Sequence, residues 1–178
     1  MHQAVRGMRD VLPADTWRWS HLERKLFQRL TGASYSEIRL PLMEFTELFA
    51  RGVGEATDIV EKEMYTLSDR DGMSISLRPE GTASCVRALE EHGLLYNKTC
   101  RTFYSGPMFR YEKPQKGRYR QFYQMGVEAF GFEGPDIEVE LVLLIAKYFE
   151  EIGLNQYLTL EINTLGAHED RVRYREAL

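Results

Sequence analysis

The run "QFYQMGVEAF", residues 121–130, limits the possible folds more than any other stretch of this chain. Its chemistry alternates with period two, the period at which side chains of a β-strand change face. Tyr123, Met125, Val127 and Ala129 share one side, and Phe122, Gln124, Gly126 and Glu128 share the other. The first side suits a core. The second is polar and sets Gly126 between an amide and a carboxylate, which leaves an open notch there; the alternative is an antiparallel sheet with one face in water. A preceding strand over about 101–112 places Arg110 with Glu112, opposite Phe109 and Tyr111. Between the strands, Lys113, Lys116, Arg118 and Arg120 crowd a loop in which Pro114 and Gly117 favour a turn. Two amphipathic strands with a cationic turn make a hairpin that needs a core behind it.

"SISLRPEGT" repeats the pattern: Ile75 and Leu77 face one way, Ser76 and Arg78 the other, with Glu80 and Thr82 just past the strand end. "RDG" between "MYTLSD" and "MSISLRP" is a second hairpin signal. Helices are expected between these strands. The first begins at Pro13, with Asp15 in its first turn and Trp19, Leu22, Leu26 and Leu30 at helical spacing, and Gly32 is the expected cap. Others are expected over about 46–51 and 81–92, from Pro135 through "DIEVELVLLIAKYFEEIG", and over 168–178. "SEIRL", closed by Pro41, and "YLTLEIN", with Leu158, Leu160 and Ile162 on one face, read as further strands. Residues 51–65 read as a connection near the site. The pattern is α+β, a largely antiparallel sheet flanked by helices.

The length, 178 residues, suits one domain. Net charge is −4, so the cations of the 113–120 loop are a local feature, and any nucleic-acid contact is local too. Arginine forks match phosphate oxygens, lysines add point charge, and the ring of Phe122 can stack on a base. No window approaches ~18 consecutive apolar residues, and "MHQAVRGMRD" lacks the apolar core of a secretory signal. Cys85 and Cys100 have no metal-ligand spacing and read as packing residues in a reduced, cytoplasmic setting. His21, His92 and His168 are scattered and read as structural.

"FRYE…R…F" resembles motif 2 of class II aminoacyl-tRNA synthetases. With "LRPEGT" upstream and "RGMRDVLP" at the start, the chain is similar to histidyl-tRNA synthetases along nearly its whole length. "YSEIRLPLMEF" resembles motif 1, whose proline lies at the dimer interface in that family. The resemblance implies the class II catalytic-core fold, a homodimer, and activation of L-histidine by ATP with Mg2+, followed by transfer to tRNA(His). It implies that Arg110 bridges the α-phosphate and the substrate carboxylate, as the catalytic residue. Glu112 would meet the adenine amino group, Arg118 the terminal phosphates, and Phe122 the adenine ring. Glu80, Gly81 and Thr82 would hold the α-amino group. Gln124 would also contact bound histidine, Glu128 would receive the imidazole, and Gln115 would approach the acceptor end of the tRNA.

Motif 3, the family's "RGLDYY"-like segment and an anticodon-binding domain are not in these 178 residues. The chain is therefore expected to be the N-terminal part of a catalytic domain and to adenylate poorly alone. The rival readings are a synthetase-like regulatory subunit of ATP phosphoribosyltransferase, a pseudo-synthetase domain of a stress kinase, and a prolyl, threonyl or seryl enzyme. "FRYE" with Arg118, Phe122 and "KPQKGRYR" favours an enzyme, and Gln124 with Glu128 favours histidine.

Overall fold

Strands that alternate cleanly can satisfy each other's backbone groups across a short turn, and the two around the cationic loop do so. The computed structural model describes residues 2–53, 63–163 and 173. In chain order the elements are α1 (Pro13–Gly32), β1 (Ser36–Glu37), β2 (Met43–Phe45), α2 (Thr46–Val53), β3 (Thr66–Ser68), β4 (Ser74–Leu77), α3 (Thr82–Glu91), β5 (Cys100–Phe109), β6 (Gln121–Phe130) and α4 (Asp136–Glu151). A 3-10 turn follows at Asn155–Tyr157. The architecture is α+β, as expected.

The strands form two small sheets, ordered β1-β5-β6 and β2-β4-β3. All pairings are antiparallel except β1 with β5. In the long hairpin Thr102 lies opposite Glu128, Tyr104 opposite Gly126 and Gly106 opposite Gln124. Residues opposite one another project from the same face, so the polar face of β6 is continued by Thr102, Tyr104, Gly106 and Met108.

Each face of this hairpin meets a helix. On one side Leu30, Tyr35 and Phe103 form a core with Leu26 and Phe27 of α1, Val127 of β6, and Leu141 and Leu144 of α4. On the other, Cys85 and Leu89 of α3 pack on Tyr104 and Met108, with Phe122 and Phe130 against them. Glu140 of α4 ties the first layer together. It accepts from the Tyr35 hydroxyl at 2.8 Å and from Arg101 Nε and Nη2 at 3.1 and 3.0 Å. Arg29 of α1 pairs with Glu151 of α4.

Several expectations are corrected. α1 runs through Gly32 and is capped by Ala33, and it is Ser34 that takes the left-handed turn, at φ +65°. β1 spans only Ser36–Glu37 of "SEIRL". In β4 the polar pair is the inward one: Ser76 and Arg78 are buried while Ile75 and Leu77 are half-buried. Ser76 is satisfied there by the hydroxyls of Thr46 and Thr66, at 2.9 and 3.0 Å. "YLTLEIN" forms no strand; Leu158, Thr159 and Leu160 lie along Val142, Ala146 and Phe149 of α4. A strand needs a neighbour to pair its backbone, and among the described residues none stands beside it. The expected helix over 168–178 lies outside the described residues except for Arg173, as does residues 54–62 of the 51–65 connection.

Candidate active site

The site begins where β4 ends and α3 begins. Residues after the strand turn into the helix with their amides exposed, and an acidic side chain there is favoured by those N–H groups and the helix dipole. Glu80 fills that role: its Oε2 accepts from the Thr82 amide at 2.5 Å and its Oε1 from the Ala83 amide at 3.0 Å. The Thr82 hydroxyl points to β6 and donates to Glu128 Oε1 at 2.8 Å. Thus Glu80, Thr82 and Glu128, distant in sequence, meet at one end of the polar face. Glu80 and Thr82 also line an open groove of about 490 Å³ shared with Leu48, Val86 and Arg87.

The expected notch at Gly126 is not open. The ring of Tyr104, from the opposite position on β5, occupies it; a Cβ on Gly126 would lie 2.1 Å from that ring, and one on Gly81 2.2 Å. Tyr104 is 2% exposed. Its hydroxyl lies 3.4 Å from both the Thr82 hydroxyl and Glu128 Oε1. Burial, with the charges of Glu128 and Glu80 nearby, pushes the phenol up to about 12, while the Thr82 hydrogen bond pulls the other way.

Further along the same face, Gln124 keeps a buried Oε1 without a partner. Such an atom costs free energy unless something fills its valence. Beyond it, the guanidinium of Arg110 lies over Phe122, 5.1 Å from the ring centroid. Arg110 Nε donates to the Pro79 carbonyl at 2.9 Å. Arg78 lies beneath: Nε donates to Pro107 O at 3.0 Å, and Nη1 to Leu40 O and Pro41 O at 3.0 and 3.3 Å. Gly106 leaves room for it, since a Cβ there would lie 2.4 Å from Nη2. Burial lowers the Arg78 pKa from its usual value.

The cationic loop closes in a tight turn. Gln115 and Arg118 exchange backbone hydrogen bonds of 3.2 and 3.0 Å, and Gly117 takes φ +84°. Arg118 Nη1 lies 3.5 Å from Glu112 Oε2, so the two residues expected at opposite ends of a nucleotide pair with each other instead. Gln115 is exposed at the tip. At the root, the Gly7 carbonyl accepts from the amides of Arg120 and Gln121 at 2.7 and 3.2 Å, and Arg9 Nη1 donates to the Tyr119 hydroxyl at 3.0 Å.

The structure therefore places Arg110, Phe122, Gln124 and Glu128 along one face, with Glu80, Gly81 and Thr82 beside Glu128. Strand geometry makes the distance from residue 122 to 128 about 20 Å. Sequence reasoning missed Tyr104, Arg78 and Gly106. Alternation within β5 put Tyr104 and Gly106 on one face, but only the pairing register reveals that this is the face of Gln124 and Glu128.

This α+β arrangement, a long hairpin with helices on both faces, is the catalytic-core fold of an aminoacyl-tRNA synthetase. The histidyl-tRNA synthetase family model matches residues 7–169. The chain belongs to the histidyl-tRNA synthetase family. It is 40% identical to the apo histidyl-tRNA synthetase of S. aureus, with a TM-score of 0.82 over 99% of this chain and 41% of that one. It shares its fold with an ATP phosphoribosyltransferase regulatory subunit/histidyl-tRNA synthetase from Bacillus halodurans, at 23% identity, TM-score 0.73, over 86% of this chain and 38% of that one. A histidine–tRNA ligase subunit from Alicyclobacillus acidocaldarius gives 22% identity and TM-score 0.72, over 86% and 43%. The chain spans about two fifths of the length of these solved chains.

Proposed function

We propose that this chain carries the histidine- and ATP-binding face of a histidine–tRNA ligase. A carboxylate oxygen of histidine attacks the α-phosphorus of ATP, the bond to the β-phosphate breaks, and pyrophosphate leaves. The terminal ribose hydroxyl of tRNA(His) then attacks the acyl carbon and AMP departs. Arg110 neutralises the charge that builds at the α-phosphate, where fixed positive groups lower the barrier most. Phe122 offers its ring to adenine and Glu112 an acceptor to the adenine amino group. Arg118 exchanges its pairing with Glu112 for the terminal phosphates. Glu80 and Thr82, on the backbone bend at Gly81, take the ammonium group. Gln124 contributes its amide, and Glu128 accepts an imidazole N–H. Gln115 meets the acceptor end of the tRNA.

Mg2+ is carried in on the phosphates of ATP as part of that substrate. Among the described residues no group of three His, Cys, Asp or Glu side chains could hold a metal. The homodimer belongs to the same proposal: Leu42, Met43 and Phe45 of the motif 1 segment are 45%, 45% and 52% exposed. The same reading puts the protein in the cytoplasm. Among the described residues no helix is long and apolar enough to cross a membrane.

The observation that carries the reading is the unpaired Gln124 Oε1 between the Arg110–Phe122 stack and the Thr82–Glu128 pair. It leaves hydrogen-bonding capacity where the amino acid would join the nucleotide. The test is histidine-dependent pyrophosphate exchange by the protein completed to its natural C-terminus. Glu128→Ala is expected to raise KM for histidine at least tenfold with KM for ATP little changed. Equal damage to both removes the role given to Glu128. The 178-residue chain alone is expected to give little or no exchange.

A further inference from the structure

We propose that Tyr104 is a positioning residue that sets the selectivity of the pocket for an imidazole by holding one oxygen of Glu128; the inference rests on the reading of Glu128 given above. Three observations lead there. The ring of Tyr104 cannot move sideways, because Gly81 bounds one edge and Gly126 the other, with would-be Cβ positions at 2.2 and 2.1 Å from ring atoms. Its hydroxyl therefore has a fixed place. That place is 3.4 Å from Glu128 Oε1, which already accepts from the Thr82 hydroxyl at 2.8 Å. Two hydroxyls converge on one carboxylate oxygen.

The consequence for the carboxylate is geometric. A free glutamate rotates about its last bond and presents either oxygen. With two donors on Oε1, rotation is blocked and Oε2 is the acceptor left for a ligand. An imidazole N–H finds that oxygen already aimed, and less ordering is lost on binding. A ring of similar size without an N–H leaves the oxygen unpaired, which is how a polar pocket rejects an isostere. The phenol remains protonated across the physiological range, because its pKa is pushed up to about 12 by burial. Towards the Glu128 carboxylate it acts as a donor. Packing alone does not require this hydroxyl, since phenylalanine fills the same wedge between the glycines.

The experiment uses the full-length protein in pyrophosphate exchange. Tyr104→Phe is expected to raise KM for histidine about tenfold and to leave KM for ATP within about twofold, the loss typical of one hydrogen bond to a charged group. Discrimination against 3-(2-thienyl)alanine, whose ring has no N–H, should fall by a similar factor. An unchanged histidine KM, an equal rise for ATP, or unchanged discrimination overturns the proposal. If Y104F melts early, calorimetric binding of histidine and ATP in the cold reads the same ratio. Glu128→Gln is run in parallel. If it raises histidine KM while Y104F does not, only the role of Tyr104 fails. If neither variant moves it, the reading of the pocket fails.

Discussion

Gly126 has no side chain where Tyr104 has a large one, and the two positions act as a unit. An alanine at 126 would push a methyl to within 2.1 Å of the phenol ring. Neither the strand nor the wedged ring can yield easily, so Gly126→Ala is expected to cost about 1–3 kcal/mol, the range for overpacking. Tyr104→Ala should cost about 3–5 kcal/mol as a cavity. The double variant should cost clearly less than the sum, since each change relieves the other. Urea denaturation of all three tests this, and strict additivity would mean the ring and the glycine do not share the space. At this scale the polar residues themselves were legible: Glu80, Thr82, Gln124 and Glu128 stand out by type. What a single strand could not show is its neighbour. The period-two pattern of β6 left a gap at Gly126, and the residue that fills it comes from the strand across.

Among the elements, the junction between the two sheets depends on Arg78. Its guanidinium reaches carbonyls of Leu40, Pro41 and Pro107, so one side chain binds the link from β1 to β2 to the C-terminal part of β5. Its own backbone carbonyl receives the Phe109 amide at 2.9 Å, and the next carbonyl, of Pro79, receives Arg110. Arg78→Met keeps the bulk but strands three carbonyls. At about 1–3 kcal/mol for each buried group left unpaired, the loss should be roughly 3 kcal/mol or more. The loss is measured as a lower urea midpoint, and an unchanged midpoint would count against the clamp. Helices α1 and α4 and the β5–β6 hairpin were readable because their periods are long and unbroken, and the short β3–β4 hairpin because "RDG" marks its turn. "YLTLEIN" was misread because alternation shows only that a segment can be a strand, while pairing decides whether it is one. The clamp made by Arg78 was not legible for a related reason: its partners are main-chain atoms, which leave no mark in the residue pattern.

For the molecule as a whole, the tie between α4 and the sheet makes stability depend on pH in two directions. Hydrogen bonds from Arg101 and then Tyr35 hold the Glu140 carboxyl below its usual range. A depressed carboxyl stabilises the fold above its unfolded pKa, and that contribution disappears as pH falls through the folded value. Glu140→Gln should therefore flatten the acid side of the stability profile. At the other end, burial and the adjacent Glu140 raise Tyr35 to about 12, and burial does the same for Tyr104. Raised phenols contribute fully below about 10, their unfolded value, and the contribution is lost as pH climbs towards 12. Melting temperature followed from neutral pH upward should drop steeply in that window, and less steeply in Y104F. The opening residues belong to this wider frame as well. The Gly7 carbonyl holds the root of the cationic hairpin, 113 positions onward at Arg120, and does so at φ +83° with the Arg120 side chain against it. Trimming the first eight amino acids would thus injure the cationic hairpin rather than tidy a loose end.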